Sequence, residues 1–108
     1  MKKYDESYYA FKEINDNPII LDFTGCRYWS EIHEILKERF GLPEYYGKNW
    51  DALWDCLDYL FMGDEIISVE THGFQTLPDD LKKYCVPMLE IFEEVREHTP
   101  NVIFHMIS

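Results

Sequence analysis

The chain has 108 residues, which is enough for one domain with a single hydrophobic core and no need of disulfide bonds. Its hydrophobic content of 46% predicts a compact globule. It carries 21 acidic and 10 basic residues, a net charge of −11. Nucleic-acid phosphates and anionic membranes would repel such a chain, so neither is expected as a direct partner. The charge suits a basic protein partner, or it serves only to keep a small domain in solution.

The cysteines indicate a reducing compartment. Cys26, Cys56 and Cys85 are odd in number and far apart, and the four histidines make no zinc-like spacing with them. We therefore expect buried, reduced thiols, with no metal ion and no cofactor. No apolar run follows the first lysines, so we also expect no signal peptide, no membrane span and a cytoplasmic location.

Residues 1–18 read as an extension or a first small element. Tyr4, Tyr8 and Phe11 recur at i, i+4 and i+7, which is compatible with a short amphipathic helix. The apolar run that follows, at residues 19–23, predicts a buried strand.

Helices and strands alternate along the rest of the chain. Apolar side chains at helical spacing predict a helix from about residue 31 to Phe40, ended by Gly41. The later segments are a helix after residue 49, a strand at 65–71, a helical segment at 79–98 and a strand at 102–107. Pro87 must kink or split the segment at 79–98. The order β-α-α-β-α-β predicts an α/β fold, a small three-stranded parallel sheet flanked by helices.

The helix after residue 49 has two unlike faces. One is an apolar stripe at i, i+3, i+4 and i+7, made of Leu53, Cys56, Leu57 and Leu60. The opposite face has the same spacing and consists of Asp51, Trp54, Asp55 and Asp58. Asn49 is the expected N-cap, and Asp51 falls in the first turn. The second face should meet water, yet it sets a tryptophan among three carboxylates, which suits a cationic partner.

Catalysis and metal binding are the first alternatives for these carboxylates. Asp51 and Asp55 lie on one convex helix, whereas glycosidases place two carboxylates across a cleft, usually on different elements. A hard cation needs several oxygen ligands that converge from a loop, and this stripe spreads its oxygens along a helix. The chain also has no G-x-S-x-G, phosphate-loop or H-E-x-x-H motif. We expect neither an enzyme nor a metal site.

The aromatic residues around this helix have a structural and a functional interpretation. Tryptophan usually packs in a core, but the apolar stripe already defines the inward side, so we expect Trp54 to be partly exposed. Trp50 lies between the faces and can pack either way. Tyr45 and Tyr46 either cover the core edge or offer a ring to a partner, one role for each. Gly47 lets a partner approach the backbone closely.

These residues resemble the barstar family, the intracellular inhibitors of barnase-type ribonucleases. The match covers LPEYYG at residues 42–47, Asn49 and DALWDCL at residues 51–57, and extends more weakly over residues 19–108. It implies an N-terminal extension at residues 1–18, followed by a barstar-like domain. In the family, a helix and the loop before it plug the basic active site of the ribonuclease, with carboxylates where RNA phosphates would lie.

The resemblance also implies roles for single residues. Asp55 resembles the central phosphate mimic that meets active-site arginine and histidine, and Asp51 resembles a second anionic anchor. Tyr45 resembles the aromatic that stacks on the catalytic histidine. Further interface positions are matched by Gly47, Asn49, Trp54 and, as an outlying acidic contact, Glu94. The expected partner-binding set also includes Tyr46 and Trp50.

The chain departs from the family pattern at several positions. Trp50 stands in place of a leucine, Leu60 in place of a second tryptophan and His98 in place of a glutamate, and the family's second cysteine is unmatched. The resulting hypothesis is a cytoplasmic inhibitor that binds a basic extracellular-type ribonuclease or ribonuclease toxin one-to-one and is monomeric when free. The alternative is an acidic adaptor or regulatory module of the same fold that binds a non-nuclease basic protein.

Overall fold

A parallel three-stranded sheet lies at the centre of the computed structural model, which describes residues 10–61 and 63–107. Its strands are β1 (Ile19–Asp22), β2 (Ile67–His72) and β3 (Val102–Met106), in that spatial order. Within these ranges the α-helices are α1 (Trp29–Phe40), α2 (Trp50–Leu60), α3 (Asp79–Tyr84) and α4 (Val86–His98), and a short 3-10 turn spans Phe74–Thr76. The predicted α/β class and three-stranded parallel sheet are confirmed.

The helices cover one face of the sheet. The pairing places Ile19 beside Val69 and Val69 beside Phe104, so alternate residues of all three strands point to the same side. On that side α1 packs on β1 and α4 on β3, while α2 packs on α4. The side chains buried between them include Leu21, Val69, Val102, Leu36, Leu53, Leu57, Met88 and Val95. Each such side chain contributes roughly 1.5–3 kcal/mol on leaving water.

Pro87 separates α3 from α4, as the sequence predicts. Helix α3 ends at Tyr84, and the Cys85 amide donates to the Leu81 and Lys82 carbonyls at 3.0 and 3.1 Å. Pro87 then occupies the first turn of α4, where a missing N–H breaks no helical hydrogen bond. One long helical pattern therefore becomes two helices with independent directions.

Hydrogen bonds to the main chain attach the segment at residues 10–18 to the domain near both of its ends. The Lys12 amide donates to the Gly41 carbonyl at 2.8 Å. Further along, Asn17 Oδ1 accepts from the Ser68 amide at 3.0 Å, beside the start of β2. These bonds hold the segment against both the end of α1 and the sheet.

Phe11 is partly buried against the core and lies in irregular structure rather than in a helix. Tyr4 and Tyr8, the other members of the amphipathic pattern, lie outside the described residues. The boundary between an extension at residues 1–18 and a domain from residue 19 stays a prediction. No helix in the described part of the chain is long and apolar enough to cross a membrane.

All three cysteines are buried and unpaired, as expected. Burial is the main cause that raises the pKa of Cys26, Cys56 and Cys85, and Cys85 reaches about 12. The reactive thiolate is therefore scarce at neutral pH, and the thiols behave as small apolar side chains.

Gly73, directly after β2, is required by the turn it makes. Its φ is +75°, and an added Cβ would lie 2.5 Å from Thr24 N and 2.8 Å from Thr24 Cα. Gly73→Ala should lower the free energy of unfolding in urea by at least about 2 kcal/mol, because left-handed strain adds to a backbone clash. Gly63→Ala is the matched control, since nothing lies within 4 Å of its added Cβ. Equal losses for the two variants would contradict this account.

Candidate functional site

Helix α2 turns its apolar stripe inward and its acidic stripe outward. Leu53, Cys56 and Leu57 are buried, as predicted. The helix begins at a capped N-terminus, where Asn49 Oδ1 accepts from the Ala52 amide at 2.8 Å. Such a cap stabilises the helix by about 1 kcal/mol, and the first-turn position of the acidic stripe is favoured by the helix dipole.

The outward carboxylates are unpaired. Asp51, Asp55 and Asp58 are exposed, and within residues 10–61 and 63–107 none of them forms an ion pair with a basic side chain. Like charges one helical turn apart cost a few tenths of a kcal/mol each, so this arrangement slightly destabilises the free protein. A cationic surface bound against the helix would replace this repulsion between carboxylates with attraction.

Two acidic residues near the loop before α2, Glu44 and Glu34, are instead paired with lysines. Glu44 accepts hydrogen bonds from Lys37 at 3.1 Å and from Lys12 at 3.2 Å, and these bonds lower the pKa of its carboxyl, with the Lys37 bond the larger cause. Glu34 likewise pairs with Lys48. Near the start of α2, negative charge without a basic partner therefore lies on the helix itself, whereas Glu44 of the preceding loop is paired.

Tyr45 and Tyr46 lie on opposite sides of the loop before α2. Tyr45 is 43% exposed, and partial burial raises its pKa, with a smaller contribution in the same direction from the Asp55 charge. Tyr46 is only 5% exposed, and its hydroxyl lies 2.6 Å from His33 Nδ1. Tyr45 is therefore partly presented to solvent, whereas Tyr46 belongs to the core and supports the loop from within.

His33 connects this loop to two helices. It is fully buried, with Nδ1 against the Tyr46 hydroxyl and Nε2 2.7 Å from the Tyr84 hydroxyl. A neutral imidazole has one donor and one acceptor, so one hydroxyl donates to the ring and the other accepts from it. Burial, and secondarily the charge of Lys48, lowers the pKa of His33 to about 4. No metal-like spacing points to His33 in the sequence, and its position beside Ile32 is the one signal of a core role.

Trp50 ties the first turn of α2 to the same network. Its ring centroid lies 4.6 Å from that of His33 and 5.0 Å from that of Tyr84. Of the two packings open to Trp50, the structure has the inward one, and the side chain is half-buried. Like Tyr46, Trp50 shapes the surface mainly by holding its neighbours in place.

The other end of the face is bordered by α4. Trp54 is half-buried, as expected, and meets the His98 ring edge-on with centroids 5.7 Å apart. His98 Nδ1 donates to the Glu94 carbonyl at 2.8 Å, which fixes the ring at the end of α4. The exposed Glu94 side chain belongs to the same helix end. Glu94 therefore lies one helical turn before His98, the residue whose ring contacts Trp54.

Gly47 and Asn49 shape the entry to α2. Gly47 is exposed, and its carbonyl accepts from Asn49 Nδ2 at 3.3 Å. Between them Lys48 has a positive φ of 53°, so the chain turns sharply before the helix begins. All predicted positions except Tyr46 thus have some exposed surface around one helix and its loop.

The fold and this face together define a small acidic α/β protein with an exposed row of carboxylates on one helix. In the described part of the chain, no group of three or more histidine, cysteine or acidic side chains is placed to hold a metal ion. A family model described as Barstar (barnase inhibitor) matches residues 17–106. The Bacillus subtilis (strain 168) protein named "Putative ribonuclease inhibitor YrdF" is 33% identical over 79 residues, which are 73% of this chain and 85% of that protein. The chain belongs to the barstar family.

The buried His33 should make folding stability depend on pH. Its pKa falls from 6.5 to about 4 on folding, so between these values the unfolded chain binds a proton that the folded one does not. Stability is then highest above pH 6.5 and falls as the pH drops toward 4, by on the order of 3 kcal/mol from this residue. An NMR titration of the His33 ring in the folded protein and in concentrated urea measures both values. A folded-state ring that titrates near 6.5 would contradict the buried neutral imidazole.

Proposed function

We propose that this protein inhibits a basic, barnase-like ribonuclease by binding it one-to-one and covering its active site with α2 and the loop before it. The observation that carries the proposal is the row of three exposed, unpaired carboxylates on α2, in a chain of the barstar family. A ribonuclease active site holds RNA phosphates with cationic side chains. Carboxylates at matching positions occupy the same donors without offering a bond to cleave.

Asp55 is the proposed central anchor, and Asp51 the second. The two are one turn apart, about 6 Å along the helix axis, so they can meet two separate cations of the partner. Asp55 lies mid-helix on the exposed side of α2, near the centre of the acidic stripe. Asp51 adds a position in the first turn of α2, where the helix dipole favours a negative charge. Asp58 continues the stripe but lies farther from the loop and serves as background charge.

Aromatic side chains on either side of the carboxylates complete the proposed contact. Tyr45 offers an exposed ring from the loop, and Trp54 offers one edge from α2 itself. Tyrosine and tryptophan exclude water around charged contacts, and ion pairs strengthen when water is excluded. The carboxylates can be desolvated at tolerable cost only against matching arginine or lysine donors, so the charge that gives affinity also gives selectivity.

The remaining predicted positions have supporting roles in this proposal. Gly47 and Asn49 define the sharp entry to the helix, and Glu94 extends the negative surface onto α4. Tyr46 and Trp50 hold the loop and the first turn from beneath through His33. With a net charge of −11, the whole molecule also accelerates its encounter with a basic protein at low ionic strength.

The direct test follows RNA cleavage by barnase and by other basic ribonucleases while this protein is added. Inhibition should be complete at one equivalent, because a single contact surface covers a single active site. If no basic ribonuclease is inhibited at micromolar concentration, the proposal fails. An acidic adaptor that binds a non-nuclease basic protein is then the function to pursue.

Asp55→Ala and Asp58→Ala form a matched pair, since each removes one exposed carboxylate from the same helix. Asp55→Ala should weaken binding to the inhibited ribonuclease by at least about 100-fold, and Asp58→Ala by less than about fivefold. Binding constants from surface plasmon resonance, with urea denaturation as the check on folding, give the comparison. Equal effects would mean that the face acts only as diffuse negative charge.

A further inference from the structure

A second recognition feature lies at the start of α1. We propose that a cleft there accepts an arginine side chain of the same ribonuclease, so that the contact surface extends beyond α2; this inference rests on the proposed function. The cleft has a volume of about 310 Å³. It is lined by Arg27, Tyr28, Trp29, Asp80, Leu81 and Tyr84.

The aromatic walls of the cleft are unusually open to solvent. Tyr28 is 66% exposed and Trp29 is 52% exposed, although they are adjacent in the chain. The Trp29 ring meets the buried His33 ring edge-on, with the two ring centroids 5.9 Å apart. Large aromatic side chains left together at a surface are typical of contact sites rather than of stabilising packing.

A carboxylate stands among these rings. Asp80 is exposed, and its Oδ1 accepts from the Leu81 amide at 3.0 Å. No lysine or arginine among the described residues forms an ion pair with Asp80. A planar guanidinium fits such a site, because its face stacks on aromatic rings while its edge meets a carboxylate. An ammonium group lacks the flat face and would use only the charge.

Arg27, the cation at the cleft itself, has an acidic neighbour of its own. The pKa of Glu31 is lowered mainly by hydrogen bonds from the Arg27 and Tyr28 amides, at 2.7 and 3.0 Å, and further by the Arg27 charge. The Glu31 carboxylate therefore lies against the Arg27 backbone amide, while Asp80 lines the cleft from α3. The positive charge of Arg27 is partly offset before any partner arrives.

The cleft is continuous with the proposed inhibitory face. Tyr84 lines the cleft and also packs on Trp50, with ring centroids 5.0 Å apart, and Asp51 follows Trp50 directly. A standard protein interface covers about 800 Å² on each partner, which is a disc of about 16 Å radius. Only the Tyr84 ring separates the cleft from Trp50 in the first turn of α2, so the cleft lies within such a disc centred on the helix.

The first test uses the free protein and needs no ribonuclease. Arginine amide is added while NMR follows the Trp29 indole N–H and the Asp80 and Leu81 amides. Citrulline amide is the control, because it keeps the α-amino group and nearly the same shape but has an uncharged side chain. Arginine amide should shift these signals, citrulline amide should not, and Trp29→Ala or Asp80→Asn should each abolish the shifts in the remaining signals. Equal shifts from both compounds, or none, would overturn the cleft as a guanidinium site.

The second test measures dissociation from the ribonuclease that the inhibition experiment identifies. Trp29→Ala should speed dissociation about tenfold and Trp29→Phe should restore most of the loss, whereas Ile103→Ala, an exposed apolar residue of β3, should leave the rate unchanged. Unchanged dissociation for Trp29→Ala would overturn the contact even if arginine amide binds. If no ribonuclease is inhibited, the proposed function alone fails, and the arginine amide result still decides whether the cleft binds a guanidinium.

Discussion

The buried imidazole of His33, held between the hydroxyls of Tyr46 and Tyr84, is the constraint on which the proposed contact surface depends. One ring fixes the positions of α1, the loop and α3 at once, and Trp50 adds α2 by packing on it. Each nitrogen needs its hydroxyl, since an unsatisfied buried polar group costs about 1–3 kcal/mol. The chain between Tyr46 and Trp50 is consequently anchored at both ends and can hold a sharp turn without a partner to order it. Such pre-organisation spares the cost of ordering a loop on binding.

The division of α2 into a stabilising side and an exposed charged side explains how a surface of unpaired acids is tolerated. Leucines and a capped N-terminus stabilise the helix by several kcal/mol, whereas repulsion along the acidic stripe costs only tenths. Because the buried side stabilises the helix, the exposed side can carry several carboxylates at little cost in stability. The same separation is seen at the cleft beside α1, where Leu81 faces the core and Asp80 faces solvent.

Local patterns predicted the elements well and the roles of neighbouring aromatic residues poorly. The face of Asp55 and the burial of Leu57 follow from a 3.6-residue period, and the break at Pro87 follows from a missing N–H. The difference between Tyr45 and Tyr46 does not, because it depends on a histidine 13 positions away that is itself held by a tyrosine 51 positions away. The residue roles at the contact surface came from the family resemblance and stay proposals. The cleft at Trp29 could not be predicted, because it is formed by residues at the start of α1 and residues of α3 that are about 50 positions apart in the sequence.

The rate at which the buried thiols are alkylated reports how often the structure around each of them opens. Alkylating reagents attack thiolates. Because the pKa values of these cysteines are raised and the side chains are almost entirely buried, they should react mainly when the surrounding structure opens. Cys56 lies on the inward side of α2, and Cys85 lies at the junction of α3 and α4. The alkylation rate of Cys56 relative to that of Cys85 accordingly measures how often α2 separates from the core. A partner bound tightly to the outer side of that helix would slow the alkylation of Cys56 without contacting its sulfur atom.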